Sequence, residues 1–495
     1  MGFVTPRLAR GGERTALVCG AGESTYADLD AASGHVAAAL MAGGGDLHGT
    51  RVALLARPGR DYVFGLLGIW RAGGVAVPLC TGHPRPELEY VLGDSGAAAI
   101  VADAAMEGLA REVAPCAGGR VLTLSDGLSA APSETPSMDG CRRAMMLYTS
   151  GTTSRPKGVV TTHANITAQV TDLVDAWAWN AEDRILHVLP LHHIHGIVNA
   201  LLCALWSNAT CEMMDGFDAG AVWRRMVDGG VTLFMAVPTI YARLIGEWER
   251  ASASQQAAMS DAAREMRLTV SGSAALPAPT LERWEAITGQ RLLERYGMTE
   301  IGMGLSNPLH GERVAGSVGF PLPSVQARVV GDDGEVVGEG KPGEIMVRGP
   351  GVFQEYWGRA EATAAAFRDG WFRTGDVAIV EDGRHRILGR QSVDIIKTGG
   401  YKVSALEVES ALLQHDAVAE CAVVGVPDEE WGERVAAAIV TTAGSELGLP
   451  ALREWGKTQL AVYKVPSALR VETALPRNAM GKVLKPAVKA LFGAE

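Results

Sequence analysis

Short apolar runs alternate with amphipathic stretches through the first three-quarters of the chain. Arg51-Val52-Ala53-Leu54-Leu55 is followed by a helical pattern over 61–71 and then by Val75-Ala76-Val77-Pro78-Leu79. That order predicts strand, helix, strand. The same rhythm returns at 98–101, 185–189, 231–236 and 268–271, and predicts a largely parallel sheet covered by helices. From 325 to 347 the pattern shortens into alternating strands separated by Asp332-Asp333-Gly334 and Lys341-Pro342-Gly343, as in a small β-rich subdomain. After Gly389-Arg390-Gln391 a helix over 405–414, strands over 418–426 and 435–441 and a helix near 451–459 predict a compact α+β unit of about a hundred residues. The expected organisation is α/β, with a large N-terminal domain over 1–389 and a small α+β C-terminal domain over 390–495.

Composition narrows the function classes. Of the 495 residues, 47% are hydrophobic and 20% charged, which gives a sizeable core and confines expected disorder to the ends. A formal net charge of −11 argues against nucleic acid as a partner, so any anionic ligand must be held locally. The seven cysteines are scattered and include no C-x-x-C pair; they read as reduced thiols, with neither a zinc nor a disulfide framework expected. No apolar run reaches the roughly 18 residues of a membrane span, and the start lacks the apolar core of a secretory signal. A cytoplasmic location without membrane association is expected.

One segment stands out for chemistry: Tyr148-Thr149-Ser150-Gly151-Thr152-Thr153-Ser154-Arg155-Pro156-Lys157-Gly158. Glycine admits a ligand close to the backbone, hydroxyls and N–H groups donate to phosphate oxygens, and lysine adds a point charge. By itself the segment is equally a polar turn, and it is not a Walker A loop. It follows a predicted strand, 144–148, and ligands on parallel sheets sit at strand carboxyl ends.

Four further segments decide between these readings. They are Leu293-Glu294-Arg295-Tyr296-Gly297-Met298-Thr299-Glu300, Gly370-Trp371-Phe372-Arg373-Thr374-Gly375-Asp376, the stretch from Leu388 to Lys402, and Pro476-Arg477-Asn478-Ala479-Met480-Gly481-Lys482-Val483. In this order and spacing, the five segments resemble the acyl-adenylate-forming superfamily of acyl-CoA synthetases, luciferases and peptide-synthetase adenylation domains. The resemblance runs from Ser24-Thr25-Tyr26-Ala27-Asp28-Leu29 to about Lys485. It implies that the C-terminal domain is a mobile lid, and that ATP and CoA are co-substrates with Mg²⁺ as cofactor.

The resemblance also assigns residues. Thr149, Ser150, Gly151, Thr152, Thr153 and Lys157 would hold phosphates; Glu300 would hold Mg²⁺, and Thr299 would donate to the α-phosphate. Ser273, Ala274 and Ala275 would run along the adenine edge, with Glu294, Arg295, Tyr296, Gly297 and Met298 lining the nucleotide site and Tyr296 on the adenine ring. Asp376 would accept both ribose hydroxyls with help from Arg390. Lys482 matches the adenylation lysine, Gln391 the hinge, and Gly399, Gly400, Tyr401 and Lys402 the face offered to the thioester-forming step. Two positions depart from the usual pattern, Ser154 in the phosphate loop and Gln391 at the hinge; neither removes a charge that the chemistry needs.

The acid is the remaining question. Leu191-His192-His193-Ile194-His195-Gly196 offers clustered imidazoles, but on a loop or strand they point apart and no cysteine or acid cluster joins them, so no metal site is expected there. His193 resembles the family's gate between acyl pocket and CoA tunnel. Within Val237-Pro238-Thr239-Ile240-Tyr241-Ala242-Arg243-Leu244-Ile245, Arg243 is a cation on a helix expected to line that pocket, costly to bury without an anion. A second substrate carboxylate held by Arg243 and the Ser273 hydroxyl is the simplest account. An arginine pointing outward is the other. His-x-His-Gly, Pro-Thr-x-Tyr-x-Arg and Ser-Gly-Ser-Ala-Ala-Leu-Pro together look like malonyl-CoA synthetases, which implies that Arg243 and Ser273 bind the distal carboxylate and that Ile194 and Met298 bound the malonate C2, with some methylmalonate activity. The runner-up is a short- or medium-chain fatty acyl-CoA synthetase with an apolar pocket. A non-catalytic nucleotide sensor would have no need of Lys482. A monomer is expected.

Overall fold

Runs of four apolar residues buried on both faces suit the interior of a parallel sheet. Val75–Pro78, Ala99–Ala102 and Leu233–Ala236 are buried at every position. The structure, a computed structural model, describes residues 9–149, 156–398, 401–429, 431–477 and 482–493. Among these the strands form four sheets, of nine, seven, five and five strands.

The two large sheets carry the α/β rhythm. In the seven-stranded sheet Arg51–Leu55 lies between Val75–Pro78 and Ala99–Ala102, all parallel. Its other end is antiparallel: Arg143–Thr149 and Lys157–Thr162 form a hairpin in which Thr149 pairs with Lys157. The nine-stranded sheet sets Arg184–His187, Leu233–Ala236, Leu268–Ser271 and Leu293–Met298 side by side in parallel.

Helices between the sheets are begun by side-chain caps. Thr25 and Asp28 form a capping box on Tyr26–Met41, and Thr162 and Asn165 form another on His163–Ala176; each cap contributes about 1 kcal/mol. Two buried indoles tie these layers together, Trp70 Nε1 donating to Ala144 O at 2.6 Å and Trp177 Nε1 to Ser306 Oγ at 3.0 Å. Each is satisfied, as a buried Trp N–H must be.

Two features differ from the sequence pattern. Within 325–347 only Gln326–Val330 and Gly343–Arg348 are strands, with Val336 reduced to an isolated bridge; the sheet is completed by Trp371–Glu381 and Arg384–Arg390. His195–Leu202 forms a fully buried π-helix, which a periodicity argument misses because the segment, His195 and Asn199 included, is buried on every side and shows no polar face. After Arg384–Arg390 the chain turns over 391–394 and enters the last five-stranded sheet, whose long hairpin Val418–Asp428 and Gly432–Thr441 is packed by Ala405–Leu412. No described helix is long and apolar enough to cross a membrane.

Candidate active site

The carboxyl ends of three parallel strands converge on one polar region. Ser271 and Glu294 are paired across Leu268–Ser271 and Leu293–Met298, and Ala236 pairs with Ser271. The strand Leu293–Met298 bends at a register shift between Tyr296 and Gly297. Glycine is required at 297, where a Cβ would stand 2.1 Å from Gly302 O. Thr299 and the buried Glu300 follow in the turn.

Three groups meet around Asp376. This buried aspartate accepts from the Tyr296 hydroxyl at 2.6 Å and from Arg390 Nε at 2.9 Å and Nη2 at 3.3 Å. Arg390 is directly opposite Asp376 in the sheet register. Burial alone would lower the Arg390 pKa, but the Asp376 carboxylate overrides it and holds the guanidinium charged. Tyr296, Asp376 and Arg390 are thereby fixed as a rigid polar wall.

Glu300 sits on another side of the region. Burial raises its carboxyl above the ordinary range, and the Tyr356 hydroxyl, donating to Oε1 at 2.9 Å, offsets this only in part. A buried oxygen donor with so little compensation fits a hard divalent cation. Lys157 Nζ lies 5.0 Å from the centroid of the Tyr356 ring, so Tyr356 touches both the lysine of the glycine-rich segment and the Glu300 carboxylate. Tyr356 is a site residue that the sequence reading missed. Its position comes from pairing with Val159, far away in the chain, and no local pattern marks it. The remaining phosphate-loop residues Ser150, Gly151, Thr152 and Thr153 lie outside the described residues, as do Gly399 and Gly400.

Arg295 is buried beside Ser273 and Gly272. It is 3% exposed, and its Nη1 donates to Ser273 Oγ at 3.5 Å, while Nε and Nη2 have no hydrogen-bond partner. Ser273 adopts φ +70° and its hydroxyl lies 3.2 Å from His195 Nδ1; His195 Nε2 is also buried without a partner. The guanidinium lies so close to Gly272 that a Cβ there would be 2.6 Å from Cζ. Burial lowers the Arg295 pKa to about 9, which still leaves it charged at neutral pH. A buried, unpaired guanidinium is a costly arrangement that an anion would relieve.

Arg243 matches the outward-pointing one of the two readings raised for it. It is exposed on Pro238–Arg250 and makes no hydrogen bond or ion pair with the described residues. The cost-of-burial argument raised for Arg243 therefore applies to Arg295. Arg243 does follow Leu233–Ala236, the neighbour of the strand that leads to Ser273, so both stand at the carboxyl edge of one sheet. Ala274 and Ala275 are exposed beside Ser273, and Met298 is half-buried. Ile194 is buried, while burial pushes the neighbouring His193 down to about 4, so its imidazole is neutral at physiological pH.

Glu294 gives a pH-dependent prediction. Burial raises its carboxyl to about 7; the Leu276 N–H, donating to Oε1 at 3.3 Å, and the Gly316 N–H offset this only in part, and Oε2 has no hydrogen-bond partner. An unfolded glutamate titrates near about 4.3, so the folded protein holds this proton more tightly. Stability is then lost as pH rises from about 4 to 7, by up to about 3 kcal/mol. Glu294→Gln is expected to raise Tm over wild type at pH 8, and thermal melts at pH 5 are expected to show that gap closing. A gap that is the same at both values contradicts the assignment.

The family description "AMP-binding enzyme" matches residues 5–357, and "AMP-binding enzyme C-terminal domain" matches 407–482. The chain belongs to the AMP-binding enzyme family. Mitochondrial malonate–CoA ligase ACSF3 of Homo sapiens is 46% identical over 516 residues, covering 96% of this chain and 90% of that protein. ATP-bound MatB from Rhodopseudomonas palustris superposes with TM-score 0.91 at 34% identity, covering 100% of this chain and 99% of that one. A malonyl-CoA ligase product complex with methylmalonyl-CoA and AMP bound gives TM-score 0.71 at 36% identity, over 96% of this chain and all of that one.

In this AMP-binding enzyme the C-terminal segment is tied to the turn at 391–394. Gln391 is exposed, its N–H donating to Gly375 O at 2.8 Å. Lys485, three residues after the exposed Lys482, places Nζ 3.3 Å from Asp394 Oδ1, donates to Val423 O at 2.7 Å and pairs with Glu409. Burial would lower the Lys485 pKa; Glu409 and Asp394 raise it instead. Tyr401 is exposed and stacks on Tyr463 at 4.3 Å, and Lys402 belongs to the same strand, Tyr401–Ser404.

Proposed function

We propose that this AMP-binding enzyme is a malonate–CoA ligase, converting malonate, ATP and CoA to malonyl-CoA, AMP and diphosphate, with some activity on methylmalonate. The observation that carries this reading is Arg295: a buried cation with two unpartnered nitrogens, beside the Ser273 hydroxyl. A monocarboxylate would leave that charge unpaired. A dicarboxylate brings one carboxylate to the reacting end and one to Arg295 and Ser273, with Arg243 at the open side of the pocket. The malonate–CoA ligases among the relatives support the same substrate.

The residues divide the chemistry as follows. One malonate carboxylate oxygen attacks the α-phosphorus, the bond from that phosphorus to the α,β-bridging oxygen breaks, and malonyl-AMP and diphosphate form. Glu300 holds Mg²⁺, which would neutralise phosphate charge when bound. Thr299, Lys482 and the loop from Thr149 to Lys157 donate to phosphate oxygens, aimed at charge that grows in the transition state. Asp376 and Arg390 hold the ribose and Tyr296 carries the adenine. In the second half-reaction the CoA sulfur attacks the malonyl carbonyl carbon and AMP leaves, with neutral His193 at the entrance.

Domain alternation links the halves: the C-terminal domain over 390–495 turns about Gln391, withdraws Lys482 and presents Gly399, Gly400, Tyr401 and Lys402. The better superposition on an ATP-bound relative than on a product complex of slightly higher identity supports such a rearrangement. Seven free cysteines suit a reducing compartment, whether cytoplasm or the mitochondrion named for the human relative.

The adenylation half tests the reading without CoA. With ATP, Mg²⁺ and labelled diphosphate, exchange of label into ATP is expected on adding malonate and not on adding acetate or octanoate. Equal exchange with acetate rejects the dicarboxylate pocket.

A further inference from the structure

Next to His193, the loops of the two large sheets bring together Cys80, His83 and His192. Their ligand atoms all lie within 4.8 Å of one another. Cys80 and His83 follow Val75–Pro78 in the seven-stranded sheet; His192 follows Arg184–His187 in the nine-stranded one. The sequence alone gave no reason to expect a metal at His192, because no cysteine is near it along the chain. Folding supplies one.

The arrangement has the parts of a ligand set. The His83 N–H donates to Cys80 O at 3.2 Å, and the resulting tight turn holds the two side chains at one end. Glu87 Oε2 lies 3.4 Å from His83 Nδ1, the carboxylate–imidazole contact that orients metal-bound histidines. His192 Nε2 is buried with no hydrogen-bond partner, and a buried orphan polar atom calls for an explanation.

We propose that Cys80, His83 and His192 bind one Zn²⁺-class divalent cation, distinct from the Mg²⁺ that accompanies ATP. A thiolate and two imidazoles suit a borderline-soft ion and leave a fourth position open, whereas Mg²⁺ prefers oxygen donors. A free thiol, with a pKa of about 8.5, is mostly protonated at neutral pH. Binding forms a sulfur–metal bond and releases that proton to solvent. The bound ion fixes the His192 ring, which packs on His193 at 4.1 Å.

Co²⁺ titrated into the full chain, free of ATP and Mg²⁺, provides the test. One equivalent is expected to give a thiolate-to-cobalt charge-transfer band and the visible bands of a four-coordinate ion, both displaced by Zn²⁺. Cys80→Ser is expected to abolish the charge-transfer band, and Glu87→Gln to weaken binding by about 10- to 100-fold. On the unaltered protein, one equivalent of Zn²⁺ is expected to block alkylation of Cys80, read by peptide mass spectrometry. No thiolate band in wild type, a band that survives Cys80→Ser, or alkylation of Cys80 as fast with Zn²⁺ as without it overturns the site.

Discussion

Arg295→Met is expected to lower kcat/KM for malonate by about 10²- to 10⁴-fold while leaving butyrate turnover unchanged or raised. Removing one partner of a buried ion pair costs about 3 to 5 kcal/mol, and each 1.36 kcal/mol is tenfold in rate. The guanidinium is 3% exposed, so solvent cannot replace it, and a methionine fills similar volume without charge. A merely structural arginine would behave differently. Because Arg295 is unpaired without ligand, its removal is expected to leave Tm of the free protein equal or higher, while the Tm increase produced by malonate disappears. Lower stability of the free variant with an intact malonate shift contradicts the assignment. Arg243→Ala is expected to act more weakly, since that side chain is exposed and water screens its charge.

Lys482→Ala is expected to reduce malonate-dependent ATP–diphosphate exchange by about 10²- to 10³-fold, the usual cost of removing one donor to developing transition-state charge. The step from malonyl-AMP to malonyl-CoA is expected to proceed at close to the wild-type rate when malonyl-AMP is supplied, because the turned lid takes the lysine out of the site. Single-turnover measurements of each half separate these effects. Equal loss in both halves would make Lys482 a general structural residue instead. Its chain neighbour Lys485 is held by Glu409 and Asp394, which connects the lysine segment to the turn about which the domain is proposed to rotate.

Much of this site was legible because its chemistry interrupts strands that would otherwise be apolar. The Leu293–Met298 strand, followed by Thr299 and Glu300, carried little by itself; the roles expected of those two residues came from the resemblance of five segments taken together. Asp376 and Arg390 were visible as separate motifs, and their direct pairing is a matter of register that no local pattern carries. The pocket cation shows the limit most clearly. Helical spacing draws attention to Arg243, but burial of Arg295 depends on close approach to Gly272, a tertiary fact. Tyr356 is set by a strand pair reaching across the chain, and Cys80 meets His192 only because two sheets share a loop region. Local periodicity predicts elements; it cannot report which loops meet.

Formation of AMP and CoA thioester from ATP, Mg²⁺ and CoA, with malonate, methylmalonate, acetate, butyrate and octanoate compared on one preparation, tests the central claim most directly. The account predicts strong preference for malonate, lesser activity with methylmalonate and little with the monocarboxylates. Preference for butyrate or octanoate over malonate would contradict it, leaving the adenylation chemistry in place and removing the dicarboxylate as substrate.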